Sequence, residues 1–169
     1  RVVSPWIIYS VFFSQAHGRK FLAFNFHAPG EAAEQDVKVA FYELVHSAFS
    51  EAFGSHPDAF VLLTCDTNAK VGSIASSSIG YIGKNTENEN GSFFRAFLEE
   101  FKLVASNTFF NAGYTWTGSR GHTSRIDYIG SLLTDHQHCT QCEVDDQIDL
   151  STAKRKDHNV LGATFGIIL

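Results

Sequence analysis

Residues 60–69, Phe60-Val61-Leu62-Leu63-Thr64-Cys65-Asp66-Thr67-Asn68-Ala69, hold a short continuous apolar run that gives way to an acidic residue. A run this short and this apolar predicts a buried strand rather than a helix. It ends at Asp66, where a rigid element can fix a carboxylate. Asn68 lies two residues on, and on an extended backbone that spacing puts both side chains on one face. The competing reading is a plain turn, where Asp and Asn are common.

Outward from this run, strands and helices alternate. Trp6 to Phe13 is rich in Ile, Val, Phe and Tyr and predicts a strand. Gln15 to Arg19 reads as a turn, with Gly18 supplying a permissive backbone. Phe21 to His27 predicts a strand covered on both faces, ended by Ala28-Pro29-Gly30. Glu31 to Phe53 predicts a helix, with Val37, Phe41, Leu44, Val45, Ala48 and Phe49 on its apolar face. Glu31 and Glu34 sit in its first turns, where the helix dipole favours them, and Gly54 and Pro57 stop it. Lys70 to Gly91 is loop-like. Phe93, Phe94, Phe97, Leu98 and Phe101 mark a second helix. Strands follow at Ile126 to Leu133 and Val160 to Leu169. The class is therefore α/β or α+β.

The totals fit one globular domain. The chain has 169 residues, 44% of them apolar and 18% charged, and its sixteen Phe predict an aromatic core. The net charge of −5 argues against a broadly basic nucleic-acid face and suits a site that concentrates a divalent cation. Three Cys make no disulfide framework, so a reduced, intracellular setting is expected, the nucleus included. Val2 to Phe13 is too short and too polar to span a bilayer, and no membrane partner is expected. The chain contains no Met and opens on Arg1 inside a strand-like run, which reads as a fragment of a longer product.

Two further segments resemble the end of the first strand. They are Ser124-Arg125-Ile126-Asp127-Tyr128-Ile129 and Lys154-Arg155-Lys156-Asp157-His158-Asn159-Val160. Together the three offer the carboxylates Asp66, Asp127 and Asp157, the amide of Asn68 and the imidazole of His158. Carboxylates hold a hard cation such as Mg²⁺, which usually keeps several waters and needs few protein ligands. An imidazole oriented by a carboxylate serves as acid, base or phosphate contact, and an amide donates to a phosphoryl oxygen. That is the chemistry of metal-assisted phosphate-ester hydrolysis. Other readings stand beside it. Asp127 pairs structurally with Arg125 or Arg120, Asp157-His158 is a solvated charged loop, and His27 is a turn histidine. Trp116 stacks near a substrate or is simply buried. Arg120, His122 and Arg125 reach phosphates or belong to a solvated loop.

The order and spacing of these residues resembles the endonuclease/exonuclease/phosphatase superfamily. The match is best to endonucleases of non-LTR retrotransposons and their domesticated, craniofacial-development-protein-like relatives. Asn25-Phe26-His27-Ala28-Pro29 resembles a strand end carrying a catalytic Tyr or His before Ala-Pro. Leu63 to Ala69 resembles the family's Gly-Asp-Phe-Asn-Ala. Asn88-Glu89-Asn90-Gly91, Ser106-Asn107-Thr108-Phe109-Phe110, Tyr114-Thr115-Trp116, Arg125-Ile126-Asp127-Tyr128-Ile129 and Asp157-His158 continue the pattern in order.

The resemblance implies a four-layer sandwich, two β-sheets packed face to face with helices outside, and one N-terminally truncated domain over residues 1–169. It implies Mg²⁺-dependent cleavage of DNA, with Mn²⁺ as an alternative ion. In that scheme Asp66 aligns or deprotonates water and binds metal, and Asn68 holds the phosphate. Asp127 orients His158 on the scissile phosphate, Asp157 is a metal ligand or supports one, and His27 steadies the phosphate or leaving group. Arg125, Trp116 and Asn107 are expected to contact substrate. The implied partners are DNA and either a segment preceding Arg1 or a reverse transcriptase on the same polyprotein. The family's metal-binding Glu is expected before Arg1. A phosphatase acting on inositol phosphates or phospholipids, and a non-catalytic partial domain, are the alternatives.

Here Cys65 replaces the Gly before the Asp, Thr67 a bulky apolar residue and Lys156 a Ser. The Cys65 side chain is expected where the backbone turns tightly. A zinc reading of His136, His138, Cys139 and Cys142 is disfavoured, because no second ligand pair lies across a loop.

Overall fold

The structure is a computed structural model that describes residues 1–148 and 157–166. Lys154, Arg155 and Lys156 lie outside the described residues. The chain begins with strands β1 (Val2–Ser4), β2 (Ile7–Ser14) and β3 (Arg19–His27). β2 and β3 pair antiparallel from Ile7↔Phe26 to Ser14↔Arg19, and Gly18 turns the hairpin at φ 56°. Helix α1 (Gln35–Ser55) then carries the chain to β4 (Phe60–Asp66), which runs parallel to β3. Helix α2 (Glu89–Glu100) leads into β5 (Leu103–Ala105). A small pair, β6 (Trp116–Thr117) and β7 (Thr123–Ser124), precedes β8 (Asp127–Leu132). Strands β9 (Cys139–Asp145) and β10 (Val160–Phe165) form a second sheet.

The main sheet has six strands in the order β1-β2-β3-β4-β8-β5. Alternation along its strands sends one set of side chains toward the helices. Leu22, Phe24, Phe26, Val61, Leu63 and Tyr128 pack there against Val45 and Phe49 of α1 and Phe94 and Phe97 of α2. Phe26 alone meets five rings, those of Phe24, Phe41, Tyr42, Phe94 and Phe97. Gly130 on β8 sits where any Cβ would strike the Val104 carbonyl, so β5 can approach only a glycine.

The buried stripe of α1 differs from the expected one. It runs Lys38, Tyr42, Val45, Ala48, Phe49 and Ala52, while Val37 and Leu44 are 50% and 40% exposed. Val45, Ala48 and Phe49 are buried as expected, and only the N-terminal half is offset by one residue, from Val37 and Phe41 to Lys38 and Tyr42, about 100° around the helix. Lys38 is tolerated inside because its ammonium donates to the Glu31 carbonyl and pairs with Glu89. The helix also starts at Gln35 rather than Glu31, which frees the Glu31 carboxylate to pair with Lys70 at 3.0 Å.

The second sheet covers part of the other face of the main sheet. Its β10 lies against β8, and the Phe165 ring meets Phe60 at 5.4 Å. The layers among the described residues run α-helices, main sheet, second sheet, a mixed α/β architecture with two packed sheets. None of the described helices is long and apolar enough to cross a membrane.

Candidate active site

Strand register builds the centre. The parallel β3–β4 ladder ends with His27 opposite Asp66, and the antiparallel β4–β8 ladder ends with Asp66 opposite Asp127. Three side chains from distant segments therefore emerge at one level, on the face away from the helices. The fourth, His158, arrives on a segment clamped to β6: the Thr117 N–H donates to the Asp157 carbonyl and the Asn159 N–H to the Thr115 carbonyl, each at 2.8 Å.

Asp66 sits between two imidazoles. Its Oδ2 is 3.6 Å from His27 Nε2 and 3.9 Å from His158 Nε2. His158 Nδ1 in turn lies 3.1 Å from Asp127 Oδ2. Burial, reinforced by the nearby Asp127 charge, holds the Asp66 carboxyl above the usual carboxylate range. The hydrogen bond to Asp127 raises His158 above its ordinary value, against a smaller lowering by burial. The pair thus favours an imidazolium whose Nδ1–H is committed to Asp127 and whose Nε2 faces Asp66.

The backbone around these groups is braced. Asn68 adopts φ 49°, a left-handed conformation that Asn tolerates, and its N–H donates to Asp66 Oδ1. Its side-chain amide donates to the Ala28 carbonyl, just past His27. Asn88 caps α2, accepting from Gly91 N and Lys70 N and donating to the Asn68 carbonyl. The buried Thr115 hydroxyl accepts from the N–H groups of both Ile126 and Asp127.

Of the residues expected here, Asp66, Asp127, His158 and His27 converge and Asn68 adjoins them. Trp116 is half-buried beside His158. It lines a hollow of about 270 Å³ with Asn68, Lys70, His122, Ile126 and His158. Two expected substrate contacts are corrected. Arg125 is 1% exposed and donates from Nη1 to the carbonyls of Ile82 and Asn107, so it holds a loop instead of facing solvent. Asn107 is fully buried; its amide donates to the Asp127 carbonyl and accepts from Ile129 N, which fixes β8. Neither Arg125 nor Arg120 pairs with Asp127, whose partner is His158.

The metal expectation also shifts. Among the described residues one group of three donors gathers within 4.8 Å, and it is Asp66, Asp127 and His158. Asp157 is exposed and stands outside it. Cys139 and Cys142 face each other, Sγ to Sγ at 3.6 Å, in an apolar cluster with Ala112, while the His136 ring turns to Ser106. No zinc site forms there among the described residues. Cys65 lies within β4 and faces the core, with the turn displaced to Asn68, so the substitution of Gly leaves the strand end unstrained.

Sequence reading passed over Lys70 and Glu31, which close the mouth of the Trp116 hollow, and Thr115, which positions Asp127. Lys70 continues the two-residue spacing of Asp66 and Asn68, a signal available in the sequence.

No family model matches the chain, and no curated protein matches it in sequence. Solved structures do match. The endonuclease domain of TRAS1, a telomere-specific non-LTR retrotransposon, superposes over 96% of this chain at 16% identity and a TM-score of 0.65. The 3'-5' exonuclease NExo from Neisseria meningitidis does so over 95% at 17% identity and 0.64. An AP endonuclease from Archaeoglobus fulgidus covers 94% at 19% identity and 0.62. An endonuclease/exonuclease/phosphatase family protein from Bacteroides thetaiotaomicron matches as well.

The chain has the endonuclease/exonuclease/phosphatase fold.

It spans 64% of the TRAS1 and N. meningitidis chains and 71% of the A. fulgidus chain. Identity this low carries the fold and not the chemistry, which rests on the site. In this endonuclease/exonuclease/phosphatase fold the acidic and imidazole groups occupy strand ends of the main sheet and the segment clamped to β6.

Proposed function

We propose that the chain carries the hydrolytic centre of a divalent-metal-dependent nuclease that cuts DNA phosphodiesters, of a retroelement or a domesticated relative. The observation that carries this reading is the Asp66 carboxylate flanked by two imidazoles, one of them oriented by Asp127. The donor set fits a hard cation, since two carboxylates converge and the charge of Asp127 already strains ionisation of Asp66. Asp66 and Asp127 would hold Mg²⁺ or Mn²⁺, which supplies charge neutralisation at the phosphate when bound.

The chain's own groups account for the rest. Asp66 Oδ2 aligns a water and stands where it can accept that water's proton. Asp127 keeps a proton on His158 Nδ1, so that the imidazolium turns Nε2–H toward a phosphoryl oxygen. His27, on the other side of Asp66, faces the leaving oxygen. The Asn68 amide spends one N–H on Ala28 and keeps the other for phosphate. Lys70 lines the same hollow as Asn68 and His158 with its ammonium paired to Glu31, and a phosphate there would compete with that carboxylate for it. A fold match to the Neisseria 3' phosphatase NExo bound to a product DNA hairpin supports DNA as the partner.

Nicking of supercoiled plasmid in Mg²⁺ tests this. Chelation should abolish it, and Asp66→Asn or His158→Ala should lower kcat about 10²–10⁴-fold. Undiminished nicking by both variants, or phosphate release from small monoesters without nicking, would overturn the reading.

A further inference from the structure

A second hollow adjoins the centre at His27. Its volume is about 330 Å³, and its walls include Trp6, His27, Pro29, Val37 and Phe41. No Lys, Arg, Asp or Glu lines it. Trp6 is 57% exposed and Val37 50%, an outlay of apolar surface that the core does not use. The indole is nonetheless held: it meets the His27 ring edge-on at 5.5 Å and 87°, and the Trp6 carbonyl accepts from His27 N at 2.9 Å.

Resting on the proposed hydrolysis, we infer that this hollow is a stacking subsite for one unpaired nucleobase beside the scissile phosphate. His27 is the shared wall: one side of it faces the hollow, and its Nε2 stands 3.6 Å from Asp66 Oδ2. A base is joined to its phosphate through a single sugar, so a phosphate at Asp66 brings a flat apolar ring to this wall. The absence of charged lining rules out a second phosphate here, and the volume lies at the low end for a small-ligand site. An exposed indole with aromatic and proline neighbours offers the flat faces on which bases stack without regard to sequence. A base that stacks on Trp6 has left its own duplex stack, so the substrate class is DNA that is single-stranded or locally unpaired at the cut.

Two measurements test this separately. The first compares KM on oligonucleotides bearing an unpaired thymine or a base-free tetrahydrofuran residue next to the scissile phosphate. The parent should favour the base-bearing substrate about tenfold, Trp6→Ala should lose that preference with kcat retained, and Trp6→Phe should restore it. The second uses Trp116→Phe, which leaves Trp6 as the sole indole, and titrates it with a thymidine dinucleotide in chelator; Trp6 fluorescence should be quenched. Nicking with no change in the KM ratio and no quenching overturns the subsite and leaves the hydrolysis standing. Quenching in a protein that never cleaves does the reverse. A concentration-dependent dimer abolished by Trp6→Ala would assign the patch to a second copy and overturn the proposal.

Discussion

The two faces of the main sheet are built from the same strands and do opposite work. On the helix side, Phe24, Phe26, Val61 and Leu63 are fully buried. On the other side their immediate neighbours, Asn25, His27, Thr64 and Asp66, keep contact with solvent, and the side chains of His27 and Asp66 are 52% and 20% exposed. Strict two-residue alternation is what permits this. The dry face fixes the strands to within a ring's width, and the wet face inherits that precision for groups that would be costly to bury. The charge repulsion between Asp66 and Asp127 is tolerated because the aromatic packing beneath it is not negotiable.

The sharpest way to break this division is to cut one side chain from each face. Phe26→Ala removes a ring from the centre of the aromatic network and should cost about 3–5 kcal/mol in urea unfolding. Thr64→Val, on the opposite face, loses only the hydrogen bond from Asn25 to the Thr64 hydroxyl, which water replaces, and should stay within about 1 kcal/mol. Equal costs would mean that the second sheet, and not the helix layer, carries the core.

A smaller effect of opposite sign is expected at the site itself. The Asp66 carboxyl sits above its ordinary 3.8, raised first by burial and then by Asp127, so the folded state resists its ionisation. That penalty is absent below the ordinary value, grows as pH rises from the ordinary value to the raised one, and is fully present above the raised one. Asp66→Asn removes it and keeps an oxygen for the Asn68 N–H. In chelator at neutral pH the variant should melt at a higher temperature than the parent while losing cleavage. A lower melting temperature would show that the carboxylate is a net structural asset and the two faces are less different than they look.

The alternation also explains what the sequence disclosed. Asp66 and His27 were legible because each ends an apolar run, Asp127 because it opens one, and His158 because it follows an acidic residue in a resemblance that fixed its order. Arg125 and Asn107 were misread for one physical reason: residue type shows that a group is polar, but only packing shows whether it points outward or is spent on carbonyls. The α1 stripe was legible at Val45, Ala48 and Phe49 and not at Lys38 and Tyr42, because a lysine satisfied by the Glu31 carbonyl and Glu89 does not look like a core residue in sequence. The roles of Trp6, Glu31 and Thr115 left no local signal, since they arise from contacts between distant segments, such as Glu31 with Lys70 and Thr115 with Asp127.

The least effect expected is the pH dependence of the His158–Asp127 contact. His158 is raised above 6.5 in the fold, chiefly by its hydrogen bond to Asp127, with the charges of Asp127, Asp66 and Asp157 adding to it. A raised folded value means that the contact stabilises fully below the unfolded value, where both states are protonated, and fades as pH climbs through the folded one. The imidazole is 38% exposed, so solvent screens the charge and the gain is modest. In chelator, the melting-temperature difference between the parent and His158→Gln should be larger near about pH 6 than near about pH 9, and it should shrink monotonically between them. Asp127→Asn should flatten that difference, because a neutral amide lacks the charge that favours the imidazolium. A difference that grows with pH would mean that His158 is seated as a neutral ring, and the wet face would then owe its order to packing alone.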